Sequence, residues 1–186
     1  MRKIIVSAWV TLDGVFDADT MGQWFAPYDS EDRRTYIRDG ILDSGAFLFG
    51  RKTYEMLAPY WSSLKNNEMG VADQLNNSPK YVVSATLQQA DWNNTTIISG
   101  DIATSLTQLK QAPGKDIQVE GSAALIQSLS GLQLIDEYRF LVHPVIMGSG
   151  KRFFGEGFQV PGLVLTKSQT LEHGVVALYY TAPKPA

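Results

Sequence analysis

The chain has 186 residues, 44% of them apolar and 19% charged, with a formal net charge of −3. This is the composition of one soluble domain over residues 1–186, and its interspersed charges and short apolar runs exclude a basic nucleic-acid face and a bilayer span of about 18 residues. Cysteine is absent; this removes disulfides, thiolate catalysis and zinc–thiolate sites and, with an N-terminal strand too short for a signal-peptide core, makes the cytoplasm the expected compartment.

Residues 4–10 are β-rich and alternate weakly, which predicts a buried first strand. It ends at Thr11-Leu12-Asp13-Gly14, where Asp-Gly is a strong turn signal. An irregular loop is expected over 15–28, holding Gly22, Trp24, Phe25 and Pro27; loops of this length in a compact domain are usually functional or mobile. Asp29-Ser30-Glu31-Asp32 supplies a cap and an acidic first turn to a helix that runs to about Ser44, with Tyr36, Ile37, Ile41 and Leu42 at helical spacing.

The apolar run 46–49 reads as a buried strand that stops at Gly50. It passes at once into a helix with Tyr54, Leu57 and Ala58 on one face, broken at Pro59-Tyr60-Trp61. A polar helix is expected from about Glu68 to Leu75, then strands over 80–84 and 95–99, then a helix capped by Asp101 and carrying Leu106 and Leu109. Residues 117–120 form a strand running into Gly121-Ser122, followed by a helix over 123–129. A long apolar strand is expected over 135–147, ending in Gly148-Ser149-Gly150-Lys151-Arg152. Segments 163–171 and 175–181, joined at His173-Gly174, form a β-hairpin, and the tail 182–186 is expected to fray. Strands alternating with helices before a closing hairpin imply a mainly parallel sheet with helices on both faces.

A strand that feeds a helix through glycine leaves unpaired backbone N–H groups at the helix start. Aligned peptide dipoles favour negative charge there, which makes an anion site, usually for phosphate. Two such turns occur, Gly50-Arg51-Lys52 and Gly121-Ser122, with Ser84 at a third strand end. Arg51 can grip a phosphate through two parallel donors. In open α/β sheets ligands bind beyond the carboxyl ends of the strands, so the set suits a ligand with more than one phosphate, although G-x-G-x-x-G is absent. Each position also has a plainer reading. Arg51 and Lys52 could be solvated cations, Ser84 a hydroxyl capping its own backbone, and Gly121-Ser122 a tight turn that needs small residues. His143 and His173 share no ligand spacing with a third donor, so no metal site is expected. No G-x-S-x-G elbow is present, and Gly148-Ser149-Gly150-Lys151 reads as a flexible turn. Asp13, Asp17, Asp19, Asp29, Glu31 and Asp32 are the carboxylates that could donate a proton near this cleft.

Four segments, in order, resemble the dihydrofolate reductase fold. More closely, they resemble its branch typified by the C-terminal reductase domain of the bifunctional riboflavin-biosynthesis enzyme, the RibD C-terminal domain. Val6-Ser7-Ala8-Trp9-Val10-Thr11-Leu12-Asp13-Gly14 is similar to the first strand and its Leu-Asp-Gly turn. Phe49-Gly50-Arg51-Lys52-Thr53-Tyr54-Glu55 is similar to the Gly-Arg-x-Thr cofactor turn, and Val119-Glu120-Gly121-Ser122 to the diphosphate turn. Asp136-Glu137 through Pro144-Val145-Ile146-Met147-Gly148-Ser149-Gly150 completes the match.

The resemblance implies an α/β fold: a dihydrofolate reductase-like three-layer α/β/α sandwich whose mainly parallel sheet is closed by a C-terminal antiparallel hairpin. It implies NADPH as cofactor, hydride transfer to a small pterin- or pyrimidine-like substrate, and a homodimer. On it, Arg51 and Thr53 with Ser84 face the adenosine 2′-phosphate end, which replaces the plainer reading of Arg51 and Ser84, and Gly50 and Lys52 bind the cofactor in the same turn. Gly121 and Ser122 present N–H groups to the diphosphate, and Ala8, Leu12 and Gly14 lie along the nicotinamide and its ribose. Ser122 departs from the pattern, standing where a second glycine is common. Asp29 is the nearest positional counterpart of the family's acid. Trp24, Phe25 and Tyr28 offer either flat apolar walls for a planar ring or packing for their own loop. Two alternatives stand beside this expectation: a non-catalytic nucleotide-binding or sensory protein that keeps the fold, and a structural homodimer built on strand 135–147.

Overall fold

The computed structural model describes residues 1–183; the last three residues of the expected frayed tail lie outside the described ones. The strands are β1 (Ile4–Thr11), β2 (Ala46–Gly50), β3 (Lys80–Val83), β4 (Thr95–Ile98), β5 (Ile117–Gly121), β6 (Glu137–His143), β7 (Val164–Thr170) and β8 (Val176–Thr181). The helices are α1 (Met21–Trp24), α2 (Glu31–Asp43), α3 (Arg51–Ser63), α4 (Ala72–Asn77), α5 (Ile102–Gln111) and α6 (Ala123–Gly131).

All eight strands form one sheet in the order β4-β3-β2-β5-β1-β6-β8-β7. From β4 to β6 every pair is parallel, and β8 pairs antiparallel with both β6 and β7. Parallel neighbours need long crossovers, and here helices supply most of them. The architecture is the mainly parallel sheet with a closing hairpin that the chain order implies.

Side chains alternate across the sheet. Ile4, Val6, Ala8 and Val10 of β1 join Leu48, Val119 and Tyr138 on the face covered by Leu106 of α5 and Leu125, Ile126 and Leu129 of α6. On the other face Phe47, Phe49 and Val82 pack against Tyr54, Val71, Leu75 and Trp92, beneath α3 and α4. Lys80 opens β3 fully buried, its ammonium donating to the carbonyls of Leu75, Asn76 and Ser78 at 2.6, 3.1 and 2.8 Å. It thereby satisfies the last carbonyls of α4.

Four local expectations are corrected. Helix α3 runs through Pro59 to Ser63 instead of breaking there. Proline removes one helix donor and crowds the preceding turn. The helix persists because Tyr54, Leu57, Ala58 and Trp61 are packed on the core, and Asn76 Nδ2 donates to Trp61 O at 3.0 Å. Strand β6 stops at His143, short of 147, because Pro144 has no ladder donor to offer. Both its edges are taken, by β1 and β8, so it cannot pair across a two-fold axis. The loop 15–28 contains helical turns at Ala18–Thr20, α1 and Ala26–Tyr28. The polar helix expected from Glu68 divides into a 3₁₀ turn, Glu68–Gly70, kinked within at Met69 with φ 55°, and α4, with Val71 at φ −132° between them.

Candidate functional site

The carboxyl ends of β1, β2, β3, β5 and β6 share one edge of the sheet, because these strands are mutually parallel. β2 and β5 are neighbours, so the turns that leave them touch. A Cβ on Gly50 would stand 2.7 Å from Ser122 Oγ and 3.1 Å from the Ser122 nitrogen, which leaves room for glycine alone. Gly121 has φ +128°, where side chains are strained, and a Cβ there would meet Thr53 Oγ1 at 3.2 Å and Phe16 at 3.5 Å. Gly50, Thr53, Gly121 and Ser122 therefore form one contact.

The two helix starts differ. α3 begins on Gly50 with no side-chain cap and no acidic residue in its first turn, beside exposed Arg51 and Lys52. α6 is capped by Ser122 itself, whose Oγ accepts the Leu125 N–H at 3.5 Å. The hydroxyl at the unusual position is thus turned into its own helix.

Arg51 donates through Nε to Glu55 Oε1 at 2.7 Å and through Nη1 to Thr86 Oγ1 at 2.6 Å. Ser84 Oγ accepts the N–H groups of Thr86 and Leu87 at 3.2 and 3.0 Å, a turn that presents Thr86 to Arg51. Its O–H remains a donor. Thr86 was missed in the sequence; its one signal was an offset of two residues from a strand-ending serine.

Ala8 is buried on the α6 side and Leu12 is exposed. Gly14, with φ +79°, lies against the Phe154 ring. Around it the first loop is laced to the segment after β6. Asp13 accepts the N–H groups of Met147 and Gly148 at 3.2 and 2.8 Å, Phe16 N donates to Lys151 O at 2.8 Å, and Phe153 N to Gly14 O at 2.9 Å. The Gly148–Arg152 motif is a clasp, not a phosphate loop.

Beneath α2, on the sheet face opposite α5 and α6, is a cavity of about 750 Å³. Ser7 and Trp9 of β1, Gln118 and Glu120 of β5, Arg139 of β6 and Tyr36 of α2 line it. Glu120 immediately precedes the Gly121 turn, so β5 joins this cavity to the anion turns. Ser44 Oγ donates to Gln118 Oε1 at 2.7 Å, which leaves Gln118 Nε2 to donate to Glu120 Oε1. Loss of water around Glu120 pushes its carboxyl up to about 7.

The carboxylates expected near the cleft are all held in ion pairs or hydrogen bonds, and of the six Glu31 and Asp32 line the cavity. Asp13 is in the clasp, and Lys151 pairs with Asp17 at 3.1 Å and Asp19 at 2.5 Å. Asp29 is shared by Arg33, at 2.9 Å, and Arg34; Glu31 pairs with Arg34 at 3.0 Å. Asp32 accepts from Ser30 Oγ at 2.7 Å and from Glu172 N at 2.9 Å. Glu120 was overlooked. The available signal was Gln118 and Glu120 alternating with Ile117 and Val119 in a strand whose neighbours should be apolar on both faces.

Trp24, Phe25 and Tyr28 surround His143, with ring centroids 5.4, 5.2 and 5.9 Å away. None of the three lines the cavity; Phe25 reaches it only through Trp9, on which it stacks at 4.7 Å. Arg33 lies 3.9 Å from the Phe25 ring centre and 3.4 Å from His143 Nε2, while His143 Nδ1 faces Val10 O at 3.3 Å. Burial lowers the His143 pKa to about 4, which fixes it neutral. Among the described residues no group of acids and histidines could hold a metal ion, and no helix is long and apolar enough to cross a membrane.

A family model described as RibD C-terminal domain matches residues 2–177. The Bacillus subtilis (strain 168) protein YyaP, itself uncharacterized, is 32% identical over 183 residues, spanning 96% of this chain and 94% of its own. Dihydrofolate reductase from Enterococcus faecalis, solved with NADP(H), superposes with a TM-score of 0.63 at 14% identity, covering 97% of this chain and 96% of that one. The Thermotoga maritima diaminohydroxyphosphoribosylaminopyrimidine deaminase/5-amino-6-(5-phosphoribosylamino)uracil reductase gives 0.67 at 14% identity, covering 98% of this chain and 57% of that one.

Proposed function

The chain belongs to the RibD C-terminal domain family, and on that premise we propose that it is a reductase that takes NADPH and reduces a small planar heterocycle in the α2 cavity. The observation that carries this reading is the contact of two strand–glycine–helix turns at the carboxyl edge, joined through Glu120 to a cavity. The residues present fit the cofactor. Gly50 and Gly121 leave space where any Cβ would intrude, and α3 offers uncapped amides beside two cations. Arg51, Lys52, Thr53, Ser84 and Thr86 would hold the 2′-phosphate end. Gly121 and Ser122 would hold the diphosphate, and Ala8, Leu12 and Gly14 would border the nicotinamide. Bound there, NADPH supplies a hydride.

The chain's own part is the proton and the fit. As a C=N or C=O carbon gains the hydride, the adjoining heteroatom takes a proton from the Glu120 carboxyl, which solvent then restores. A carboxyl near 7 carries that proton about half the time at neutral pH. Asp29, paired with two arginines, orients Arg33 and through it His143. Trp9 and Tyr36 give the ring its walls, with Trp24, Phe25 and Tyr28 supporting Trp9 from behind. On this reading residues 1–186 act as one domain, in the cytoplasm, as a homodimer. The non-catalytic alternative gives no reason for a partly buried carboxyl with one polar neighbour.

Calorimetric titration with NADPH and with NADH tests the proposal. NADPH should bind, and Arg51→Ala should weaken NADPH far more than NADH. Absence of binding by either nucleotide would overturn the reductase reading.

A further inference from the structure

Among the described residues the Glu120 side chain has one hydrogen-bond partner, Gln118 Nε2, on its Oε1. The other charged groups of the cavity, Glu31, Asp32, Asp39 and Asp43 of α2, Arg139 of β6, Lys167 of β7 and Glu172, make no hydrogen bond to it. Gln118 and Ser44 are both buried, each 6% exposed. Ser44 is fixed at the end of α2, where its N–H donates to Ile41 O at 3.1 Å and its carbonyl accepts from Gln74 Nε2 at 2.7 Å. Its hydroxyl has one hydrogen and two acceptors in reach, Gln118 Oε1 at 2.7 Å and Gly40 O at 2.8 Å. The oxygen and nitrogen of an amide are told apart by their partners, so Ser44 decides which end of Gln118 meets Glu120. With the hydroxyl turned to Gln118, the amide presents N–H to the carboxyl. Reversed, it would set its oxygen against Glu120 Oε1. Two acceptors then repel while the carboxyl is ionised, and the neutral acid gives its proton to Gln118 instead of to a substrate.

We propose that Gln118, oriented by Ser44, is the positioning residue of the proton donor: its amide keeps Glu120 Oε1 an acceptor in both charge states, so that the proton is carried on Oε2. The proposal rests on the reductase reading and adds to it the oxygen from which the proton leaves. The donor is then aimed before the hydride moves, and no side chain has to turn as the proton is lost and regained. The same bond stabilises the carboxylate and so opposes the upward push of burial, which keeps Glu120 able to give up its proton near neutrality.

Infrared pH titration of the free protein tests this, with the Glu120 carboxyl band identified by its loss in Glu120→Gln. In the wild type the band should vanish with a midpoint of about 7 and lie at the low frequency of a C=O that accepts a hydrogen bond. Gln118→Met keeps the length of the side chain and removes the donor. Its midpoint should rise by about one unit and its band move to higher frequency. Ser44→Ala frees the amide to reverse and should move both in the same direction. A cooperative melt shows that each variant folds, and Ser44→Ala, which removes only a hydroxyl, carries the test if Gln118→Met does not fold. Wild-type midpoint and frequency in either folded variant, or no Glu120 band at neutral pH, would overturn the proposal. The titration uses no nucleotide, so the two readings fail separately. If the shifts occur but NADPH does not bind, the positioning stands and the reductase reading falls; if NADPH binds and the shifts are missing, only the positioning falls.

Discussion

Glu120 is the residue on which chemistry and stability pull in opposite directions. Its carboxyl titrates at about 7 in the fold against an ordinary 4.5, so between these values folding takes up a proton and stability falls as pH rises. Glu120→Gln should therefore melt above the wild type at pH 8 and level with it near pH 4. The same variant should lower kcat by about 10²–10⁴ and remove a decline in rate as pH passes upward through about 7. An unchanged rate with the same profile would take the proton away from this residue. His143 has the reverse linkage. Its pKa is about 4 in the fold against 6.5, so stability is lost as pH falls from about 6.5 toward 4, when the unfolded chain gains the proton first. His143→Gln should flatten that acid limb in a series of denaturant titrations. At Arg51, loss of a charge-assisted pair should cost NADPH about tenfold to a hundredfold in affinity, with NADH changed little.

Among the elements, α2 shows how far a helix can be read from its spacing. Its start was legible because Ser30 and the acids after it are a strong local signal, and Ser30 Oγ does accept the Arg33 N–H. Its job was not. Glu31, Thr35, Asp39 and Asp43 recur every fourth residue, an apparent solvent face, yet that stripe borders the cavity, while Ile37 and Ile41 reach the core beside it. Gly40 lies on the same helix, and a Cβ there would find only Gln118 Oε1, at 4.0 Å. Gly40→Ala should stabilise the protein by about 0.5–1 kcal/mol, read as a higher denaturation midpoint. A lower midpoint would mean that the helix needs glycine for its approach to β5. Helix α3 misled in the opposite sense, since a local breaker at Pro59 was outweighed by packing that spacing alone cannot weigh.

At the scale of the molecule, the order of strands and helices was legible because each carries its own period and punctuation. The anion turns were legible too, each being a run of adjacent residues. The cavity was not, because Ser7, Gln118, Arg139 and Tyr179 meet only once β5, β1, β6 and β8 are laid side by side. The clasp has the same long-range character. The Thr11 hydroxyl, then the Gly148 and Met147 amides, draw Asp13 down to about 2. Asp13→Asn should leave the sheet intact but speed hydrogen exchange across residues 147–154; unaltered exchange would show that the segment holds without it. The far end of the sheet carries a different consequence. β7 is exposed at every residue, Val164 and Leu165 included, and its outer edge meets no other strand among the described residues. Such an edge is a template on which a second polypeptide can add a strand, the first step of fibrous aggregation. The register slip between Leu165 and Lys167, and the charge of Lys167 beside it, interrupt that template and keep concentrated protein from growing end on end.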